Sequence, residues 1–258
     1  MTFDPSTSTT FKNTTEPWDI QYYDTTGAFG FLCQDTIEVG GASVPNAYVA
    51  VAGYTNMTDN IFGVSFINDE TTTEFNGDSG QASNTYPNYP VSLKQDGFIN
   101  TISYSLYLNS LEGQEGNILF GGVDHAKYTG TLGLMPVVNI YWWIATPPSF
   151  VVMLNEINLS SNGTSCPLVT DFAYPVLLDS GSSFAILPNE TVGAMADAYG
   201  FTWNEYDAFY EGSCTPILDF DSFEISFSGV KVNIPADSLL GPYASNGGCI
   251  LAVQIGEN

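Results

Sequence analysis

The sequence predicts a mainly β protein, and three observations along its 258 residues support that class. Short alternating runs of β-branched and aromatic residues dominate, and clusters of Gly, Asn, Asp and Pro separate them. Segments with helical periodicity are few, and no repeat of roughly 20 to 50 residues is present. Hydrophobic residues make up 44% of the chain, which is enough for a sizeable core.

Individual strands follow from the alternation and from the turn residues between the runs. Residues 37–41 are typical of a strand that ends in a turn, and residues 102–108 alternate strictly. Residues 223–227 and 230–234 alternate on either side of Ser228-Gly229, which predicts a two-residue hairpin.

Two helices are predicted, one after Pro188 and a shorter one after Pro90. In the first, Asn189 is a candidate N-cap and Gly200 a candidate terminator. Its apolar residues fall at positions i, i+3, i+4 and i+7, namely Val192, Met195, Ala196 and Tyr199.

The chain is strongly acidic, with 28 Asp and Glu residues, four Lys or Arg residues and a net charge of −24. This balance argues against nucleic acid and anionic membranes as partners, because both attract clustered cations. No run approaches the ~18 apolar residues of a spanning helix, so a soluble globular protein is expected. Two explanations of the acidity stay open: a general solubility effect of like charges, or work at low pH, where many carboxylates are protonated.

Sequons and cysteines favour an oxidising, extracytoplasmic location. Five N-x-[ST] sequons occur, at Asn13, Asn56, Asn158, Asn162 and Asn189. Four cysteines form an even set without a C-x-x-C pair or companion histidines, namely Cys33, Cys166, Cys214 and Cys249. This pattern disfavours zinc and permits disulfides, so no metal site is predicted. The first residues show neither the basic start nor the apolar stretch of a signal peptide.

The candidate catalytic motif lies in residues 174–188, where a predicted apolar strand leads directly to Asp179. Gly181 allows the backbone to turn closely, and the Ser182 hydroxyl is placed to donate to the Asp179 carboxylate. A carboxylate at the end of a core strand without a cation needs a proton or a second carboxyl that shares its proton. Two carboxyls about 3 Å apart that share one proton form the dyad of aspartic proteases.

The polar residues also have alternative interpretations. The tripeptide D-S-G is a weak signal, because residues 78–80 also read D-S-G, but Asp78 follows no apolar strand and is assigned to a surface loop. For Asp179 the alternative is an Asx turn, and the flanking apolar strand and capped helix favour catalysis. His125 is interpreted as a solvated turn residue, since a Ser-His-Asp hydrolase would need a G-x-S-x-G elbow, which is missing from the sequence.

Residues 176–183 match the hydrophobic-hydrophobic-Asp-[Ser/Thr]-Gly-[Thr/Ser] pattern in the second lobe of pepsin-like aspartic proteases. The chain most resembles the secreted yeast enzymes, candidapepsin and its relatives. Further segments resemble the family in its own order: residues 3–9 before the flap, 22–30 in the flap, 35–41 after it, 61–63 beside the first active-site loop, and 104–130 in the strands that join the lobes.

The resemblance implies a bilobal pepsin-like acid-protease fold with both lobes incomplete, an N-terminal lobe at 1–128 and a C-terminal lobe at 129–258. The family's first D-T-G loop is expected before Phe3, and its closing strands after Asn258, so the chain is expected to be an inactive fragment. The family usually has Gly where Asp24 and Thr26 stand, and this leaves the geometry of the flap tip open.

The resemblance also implies roles for residues of the D-S-G loop. Asp179 would hold and activate the attacking water together with a second aspartate. Ser180 would join the active-site loops across the lobes, and Ser182 would orient the Asp179 carboxyl beside Gly181. The reaction is general acid–base attack of water on an amide, without metal or cofactor.

Substrate contacts and one disulfide follow from the same resemblance. Tyr23, Asp24 and Thr25 would close over an extended peptide, and Ser183 would be a further substrate contact. Cys214 and Cys249 would form a disulfide, and no bond between Cys33 and Cys166 is expected.

The complete protein is expected to be a monomeric, extracellular or cell-wall endopeptidase that acts on proteins or peptides and binds pepstatin-like inhibitors. The main alternative is a non-catalytic homologue that begins at Met1 and serves as a secreted or surface binding protein. A homodimer of single-aspartate chains is disfavoured because the chain carries signatures of both lobes. A β-rich adhesin would leave the order of the motifs unexplained.

Overall fold

The computed structural model describes residues 3–77, 79–109, 113, 115–170, 172–241 and 247–256. Strands dominate this part of the chain, which confirms the mainly β class. The described α-helices are α1 (Tyr89–Gln95) and α2 (Asn189–Tyr199). The described strands are β1 (Lys12–Gln21), β2 (Gly27–Val39), β3 (Ala42–Thr55), β4 (Glu74–Phe75), β5 (Ala82–Ser83), β6 (Tyr104–Tyr107), β7 (Asn117–Phe120), β8 (Val151–Ser161), β9 (Thr164–Val169), β10 (Tyr174–Leu177), β11 (Ala185–Leu187), β12 (Thr202–Asn204), β13 (Phe209–Gly212), β14 (Ser222–Phe227), β15 (Val230–Pro235), β16 (Leu240–Gly241), β17 (Cys249–Leu251) and β18 (Val253–Ile255). Within the same residues, no helix is long and apolar enough to cross a membrane.

The chain divides into two compact units. The first comprises Met1–Thr131 and Tyr141–Ser149, and the second comprises Leu132–Ile140 and Phe150–Asn258.

An antiparallel sheet in the order β1-β2-β3 forms the centre of the first unit. The turn between β2 and β3 is made by Gly40 and Gly41, whose φ angles of 59° and 85° favour glycine. Helix α1 packs on this sheet and closes a core of Val44, Ala47, Tyr89 and Leu93. The helix begins just before Pro90 rather than after it, since the Asn88 side chain accepts from the Val91 N–H and proline is tolerated in the first turn.

A larger antiparallel sheet in the order β10-β8-β14-β15, with β9 also paired to β8, forms the second unit's main layer. Its β14–β15 hairpin turns at Ser228 and Gly229, with φ angles of 49° and 88°, as the sequence predicts. Helix α2 buries the predicted face, including Val192, Met195 and Tyr199, in the largest core cluster.

The structure confirms the predicted C-terminal cap of α2 but not the predicted N-terminal cap. Gly200 adopts the left-handed conformation at φ 69°, and its N–H bonds to the carbonyls of Ala196 and Asp197, which ends the helix. The expectation that Asn189 caps the helix is wrong, because Pro188 occupies the N-cap position and Asn189 is the first helical residue. No side chain caps this end.

The cysteines occur in two states in the structure. Cys214 and Cys249 form a disulfide across 35 positions of the chain, in the second unit. Cys33 is buried and Cys166 is exposed, and both carry free thiols.

Candidate active site

The loop that carries Asp179 connects two strands of the second unit. Strand β10 pairs antiparallel with β8, and just after its end the Leu178 N–H donates to the Phe150 carbonyl at 3.0 Å. Beyond the loop, β11 pairs in parallel with β18. Asp179 is therefore held from both sides by strand pairing, although the loop itself belongs to no sheet.

The Asp179 carboxylate is bound by its own loop. Its Oδ1 accepts the Gly181 N–H at 2.8 Å, and its Oδ2 accepts the Ser182 hydroxyl at 2.9 Å. A Cβ at Gly181 would lie 3.1 Å from Asp179 Oδ1, so glycine permits this approach. The structure therefore brings together Asp179, Gly181 and Ser182, with one donor on each carboxylate oxygen.

The surroundings of Asp179 differ from the sequence-based expectation of a buried core strand. Leu177 is 54% exposed and Leu178 47% exposed, and Asp179 is exposed as well. This expectation is wrong: β10 lies at an edge of its sheet, and no second layer of the described chain covers the side chains of Leu177 and Leu178. At this exposed position the Gly181 N–H and the Ser182 hydroxyl donate to the carboxylate.

Ser180 and Ser183 are exposed, and neither side chain forms a hydrogen bond within the described part of the chain. Both lie beside the Asp179 cluster in sequence. Their assigned functions therefore depend on groups outside this loop.

The predicted flap is the hairpin turn between β1 and β2. The Tyr22 N–H donates to the Thr26 carbonyl at 2.8 Å, and the Thr25 N–H donates to the Tyr22 carbonyl at 3.1 Å. Thr25 has a φ of 68°, in the left-handed region that favours glycine. Tyr23, at the turn, is 67% exposed.

Asp24 stabilises this turn in the absence of glycines. Its Oδ1 accepts both the Thr26 N–H at 2.9 Å and the Thr26 hydroxyl at 2.6 Å, as in an Asx turn. These two donors, the hydroxyl first, hold the pKa of Asp24 below its ordinary value. The flap-tip geometry that the sequence left open is thus built from side-chain hydrogen bonds.

Gly30 occupies a close approach between β2 and β3. A Cβ at this position would lie 2.0 Å from the Val51 carbonyl oxygen, where no side chain fits. The register of the two strands shifts at the same point, between Phe29 and Gly30. The glycine is therefore required by strand packing behind the turn.

Sequence reasoning missed the part played by Asn56, which it treated only as a sequon. The Asn56 Oδ1 accepts the Gly27 N–H at 2.7 Å, and its Nδ2 donates to the Thr25 carbonyl at 3.5 Å. An open depression of about 260 Å³ beside the turn is lined in part by Thr25, Phe29 and Tyr54.

The other polar candidates are Asp78 and His125. Asp78 lies outside the described residues, and its neighbours form the turn of the short β4–β5 hairpin. His125 is exposed and its Nδ1 lies 2.6 Å from the Tyr128 hydroxyl. In the ranges that the structure describes, no group of three His, Cys, Asp or Glu side chains is placed to hold a metal ion.

Comparison with solved structures shows which fold these units form. The aspartic proteinase from Irpex lacteus superimposes with a TM-score of 0.78 at 18% sequence identity, over 99% of this chain and 74% of that one. The chain therefore has the pepsin-like fold that the resemblance implies.

Sequence comparisons reach the same family. Secreted aspartic protease 8 of Candida albicans is 38% identical over 83% of this chain and 47% of its own length. Aspartic proteinase 3 of Saccharomyces cerevisiae is 34% identical over 93% of this chain and 42% of its own length, and candidapepsin of Candida tropicalis is 34% identical over 93% and 55%. The chain thus spans about half the length of the curated relatives it matches. The family model for eukaryotic aspartyl proteases matches residues 1–258, and the chain belongs to that family.

Proposed function

We propose that the complete protein is an aspartic endopeptidase and that Asp179 is one of its two catalytic carboxylates. The observation that carries the proposal is the bound carboxylate of Asp179, which accepts the Gly181 N–H and the Ser182 hydroxyl in a D-S-G loop. A carboxylate held on both oxygens keeps a fixed orientation, which general acid–base chemistry requires.

The proposed reaction needs a second carboxylate that the D-T-G loop before Phe3 would supply in the complete protein. One carboxylate takes a proton from the attacking water while the other, protonated, donates to the carbonyl oxygen of the peptide bond. Asp179 alone cannot perform both transfers at once. This chain alone is therefore expected to be inactive.

The 22–26 turn is proposed to close over an extended peptide. Tyr23 is 67% exposed, and Asp24 and Thr25 follow it on a turn whose backbone is fixed by hydrogen bonds. Ser183 is proposed as a further substrate contact next to the catalytic loop, and Ser180 as the residue that joins the two active-site loops.

Proteins or peptides are the proposed substrates, and the proposed location is extracellular or in the cell wall. The Candida albicans relative is named as a secreted protease. The Cys214–Cys249 disulfide supports an oxidising compartment, because such bonds persist there. A monomer is proposed, with lobes that divide near residue 128.

The test is to express the complete protein and measure cleavage of a denatured protein at acid pH, with and without pepstatin. Cleavage that pepstatin abolishes is the expected result. A complete protein that binds pepstatin but cleaves nothing would favour the non-catalytic alternative, and one that does neither would refute the assignment.

A further inference from the structure

We propose that Asn56 positions the 22–26 turn and carries no glycan, although Asn56-Met57-Thr58 is an N-glycosylation sequon. Asn56 comes directly after β3, and its side chain reaches across to the start of β2. The inference concerns what this amide does in the folded protein.

The Asn56 amide holds both sides of the turn. Its Oδ1 accepts the Gly27 N–H at 2.7 Å, and its Nδ2 donates to the Thr25 carbonyl at 3.5 Å, which is a longer contact. The Gly27 carbonyl accepts the Thr55 hydroxyl at 3.0 Å and the Asn56 N–H at 3.3 Å. The residues at the end of β3 therefore bind both the N–H and the carbonyl of Gly27. The Asn56 side chain also contacts Thr25 at the tip of the turn.

A glycan would compete with the contact between the Asn56 amide nitrogen and the Thr25 carbonyl. N-glycosylation replaces a hydrogen of the asparagine Nδ2 with a sugar, and this nitrogen faces the Thr25 carbonyl. A sugar on Nδ2 would leave that nitrogen a single N–H and would remove the Thr25 contact where it took the position of the donated hydrogen, while Oδ1 would still face the Gly27 N–H. The folded protein is therefore expected to keep Asn56 unmodified.

The positioning role rests on the proposed function, because the 22–26 turn carries Tyr23, Asp24 and Thr25. Thr25 adopts a left-handed φ of 68° that costs energy in a residue with a Cβ. The Asn56 hydrogen bonds offset part of that cost. Loss of the side chain is expected to loosen the tip while the β2–β3 ladder behind it stays paired.

The test compares Asn56→Ala with Thr58→Ala in the complete protein, secreted from a glycosylating host. Among the described residues, the Thr58 hydroxyl donates to Asp59 and makes no hydrogen bond to the 22–26 turn, so Thr58→Ala removes the sequon and leaves the turn intact. Amide hydrogen exchange of the peptide that covers residues 22–28 reports the turn without any need for activity. We expect exchange about fivefold faster in Asn56→Ala, as the loss of a typical hydrogen bond implies, and unchanged in Thr58→Ala.

A second readout separates this inference from the proposed function. In an active enzyme, Asn56→Ala is expected to raise KM about fivefold with a smaller change in kcat, since the turn would contact substrate, and Thr58→Ala is expected to match the wild type. If the complete protein is inactive, the proposed function fails while the exchange result still decides the role of Asn56. A glycan on the Asn56 peptide, or equal exchange in Asn56→Ala and wild type, would overturn the inference.

A different observation distinguishes the two sequons of the β8–β9 hairpin, and we infer that Asn162 carries an N-linked glycan whereas Asn158 does not. Asn162 and Gly163 form a two-residue turn with φ angles of 48° and 77°, and both residues are exposed. The Asn162 backbone N–H donates to Asp221 Oδ2 at 2.8 Å, and its side chain forms no hydrogen bond within the described residues. The amide therefore extends freely from a rigid turn.

Asn158 lies four positions earlier in a very different environment. It is 6% exposed, in the middle of β8, between its partners Pro167 of β9 and Glu224 of β14. Its Nδ2 donates to Glu224 Oε1 at 3.3 Å. A glycan attached there before folding would block this pairing, so folded molecules are expected to lack it.

The transfer at Asn162 forms a bond from its Nδ2 to the anomeric carbon of the sugar. The bond from that carbon to a lipid-linked pyrophosphate donor breaks, and one amide proton leaves. This step requires passage through a secretory compartment, which is part of the proposed location.

The test uses Thr164→Ala and Ser160→Ala, which remove the sequons of Asn162 and Asn158 respectively. Intact mass of the complete secreted protein is expected to fall by one glycan in Thr164→Ala and to stay unchanged in Ser160→Ala, apart from the substitution. Enzymatic deglycosylation in heavy-oxygen water converts a glycosylated Asn to labelled Asp, and the label is expected at Asn162. An unlabelled Asn162 or a labelled Asn158 would overturn the inference.

Discussion

The hydroxyl of Ser182 donates to Oδ2 of Asp179 at 2.9 Å, while the Gly181 N–H occupies Oδ1. The carboxylate is therefore oriented by residues of its own loop, two and three positions along the chain. This arrangement needs no contact from elsewhere in the second unit. Ser182 and Asp179 can therefore be tested separately by substitution.

Replacement of Ser182 by Ala is expected to reduce kcat of the complete enzyme about tenfold. A hydrogen bond to a charged group contributes about 1.5–3 kcal/mol, and its loss frees the Asp179 carboxylate to rotate. Ser182→Thr keeps the hydroxyl and is expected to restore most of the rate. Peptide cleavage under saturating substrate measures the effect, with exposed Ser238→Ala as the matched control. Equal rates for Ser182→Ala and wild type would contradict the assigned role.

Asp179→Asn is expected to abolish cleavage by the complete enzyme, because an amide neither accepts the proton from water nor shares one with a second carboxylate. Asp197→Asn, on the exposed face of α2, changes the same charge elsewhere and is expected to retain activity. Initial rates and pepstatin binding are the measurements. Cleavage by the Asp179→Asn enzyme at the wild-type rate would exclude Asp179 from catalysis.

The complete protein is expected to be most stable in mildly acidic solution and to lose structure towards neutral pH. The sequence sets 28 acidic residues against four lysines, so ionisation of the carboxylates builds up repulsion in the folded state. Among the residues that the structure describes, the ion pair is Lys231 with Glu224 at 2.7 Å, and the lysine is exposed, so the pair offsets little. The folded state then binds more protons, and its stability declines as pH rises.

Two carboxyl groups limit the pH range in which the folded protein is expected to be most stable. Burial raises the pKa of Glu70, so its contribution is present below about 4.3, the ordinary value, and is lost as pH rises through the raised pKa. The Thr10 hydroxyl is the largest cause that lowers the pKa of Asp35, so that contribution is present above about 3.9 and is lost as pH falls through the lowered pKa. Stability is expected to be greatest between the ordinary pKa of Asp and the raised pKa of Glu70.

Thermal melts from pH 3 to 8 at low and high salt measure this profile. Added salt is expected to weaken the loss at neutral pH because it screens the repulsion. Glu70→Gln is expected to flatten the decline between the ordinary pKa of Glu and the raised pKa of Glu70, and Glu74→Gln, at an exposed position, is its control. A melting temperature that climbs steadily towards pH 8 would show that the acidity serves solubility alone.

Removal of the Cys214–Cys249 disulfide is expected to lower the free energy of unfolding by about 4 kcal/mol. The bond closes a loop across 35 positions, and the chain-entropy model assigns that amount to a loop of this length. Urea unfolding of the Cys214→Ala/Cys249→Ala double variant measures the loss. Cys166→Ala, at an exposed free thiol, is the control and is expected to unfold like the wild type. A double variant as stable as wild type would contradict the prediction.

The two free thiols are expected to react at very different rates. Burial raises the pKa of the Cys33 thiol, which lowers its thiolate fraction, and the side chain is 1% exposed. Cys166 is exposed. An aromatic disulfide reagent is therefore expected to react with Cys166 in the native protein and with Cys33 only after unfolding. Rapid reaction of both thiols in native buffer would count against the buried position of Cys33.

Local features of the fold could be predicted from the sequence because local chemistry decides them. The buried face of α2 follows from the spacing of Val192, Met195 and Tyr199, and its end follows from Gly200. The Ser182 hydrogen bond follows from a hydroxyl three positions after Asp179. These features need no knowledge of distant partners.

Features that depend on long-range strand pairing could not be predicted from the sequence. Leu177 is exposed because no second layer of the described chain covers its side chain, and the place of β10 at the edge of the sheet is determined only by the pairing with β8. Asn56 contacts Gly27 because the register of β2 and β3 brings them together, and the local sequence around Asn56 shows only a sequon. Two-residue periodicity indicates that a strand forms but does not specify its neighbours.

Strand β8 pairs with three other strands, and this has a consequence for how the second unit folds. Its partner β9 follows after a two-residue turn, whereas its partner β14 comes after α2 and several intervening strands. Pairing of sequence-distant strands must overcome loop-closure entropy before it is rewarded, so a topology with high contact order folds slowly. The β8–β9 hairpin is therefore expected to form early and β14 to dock late. Ile157, fully buried on β8, would mark the last amide to open in the folded unit.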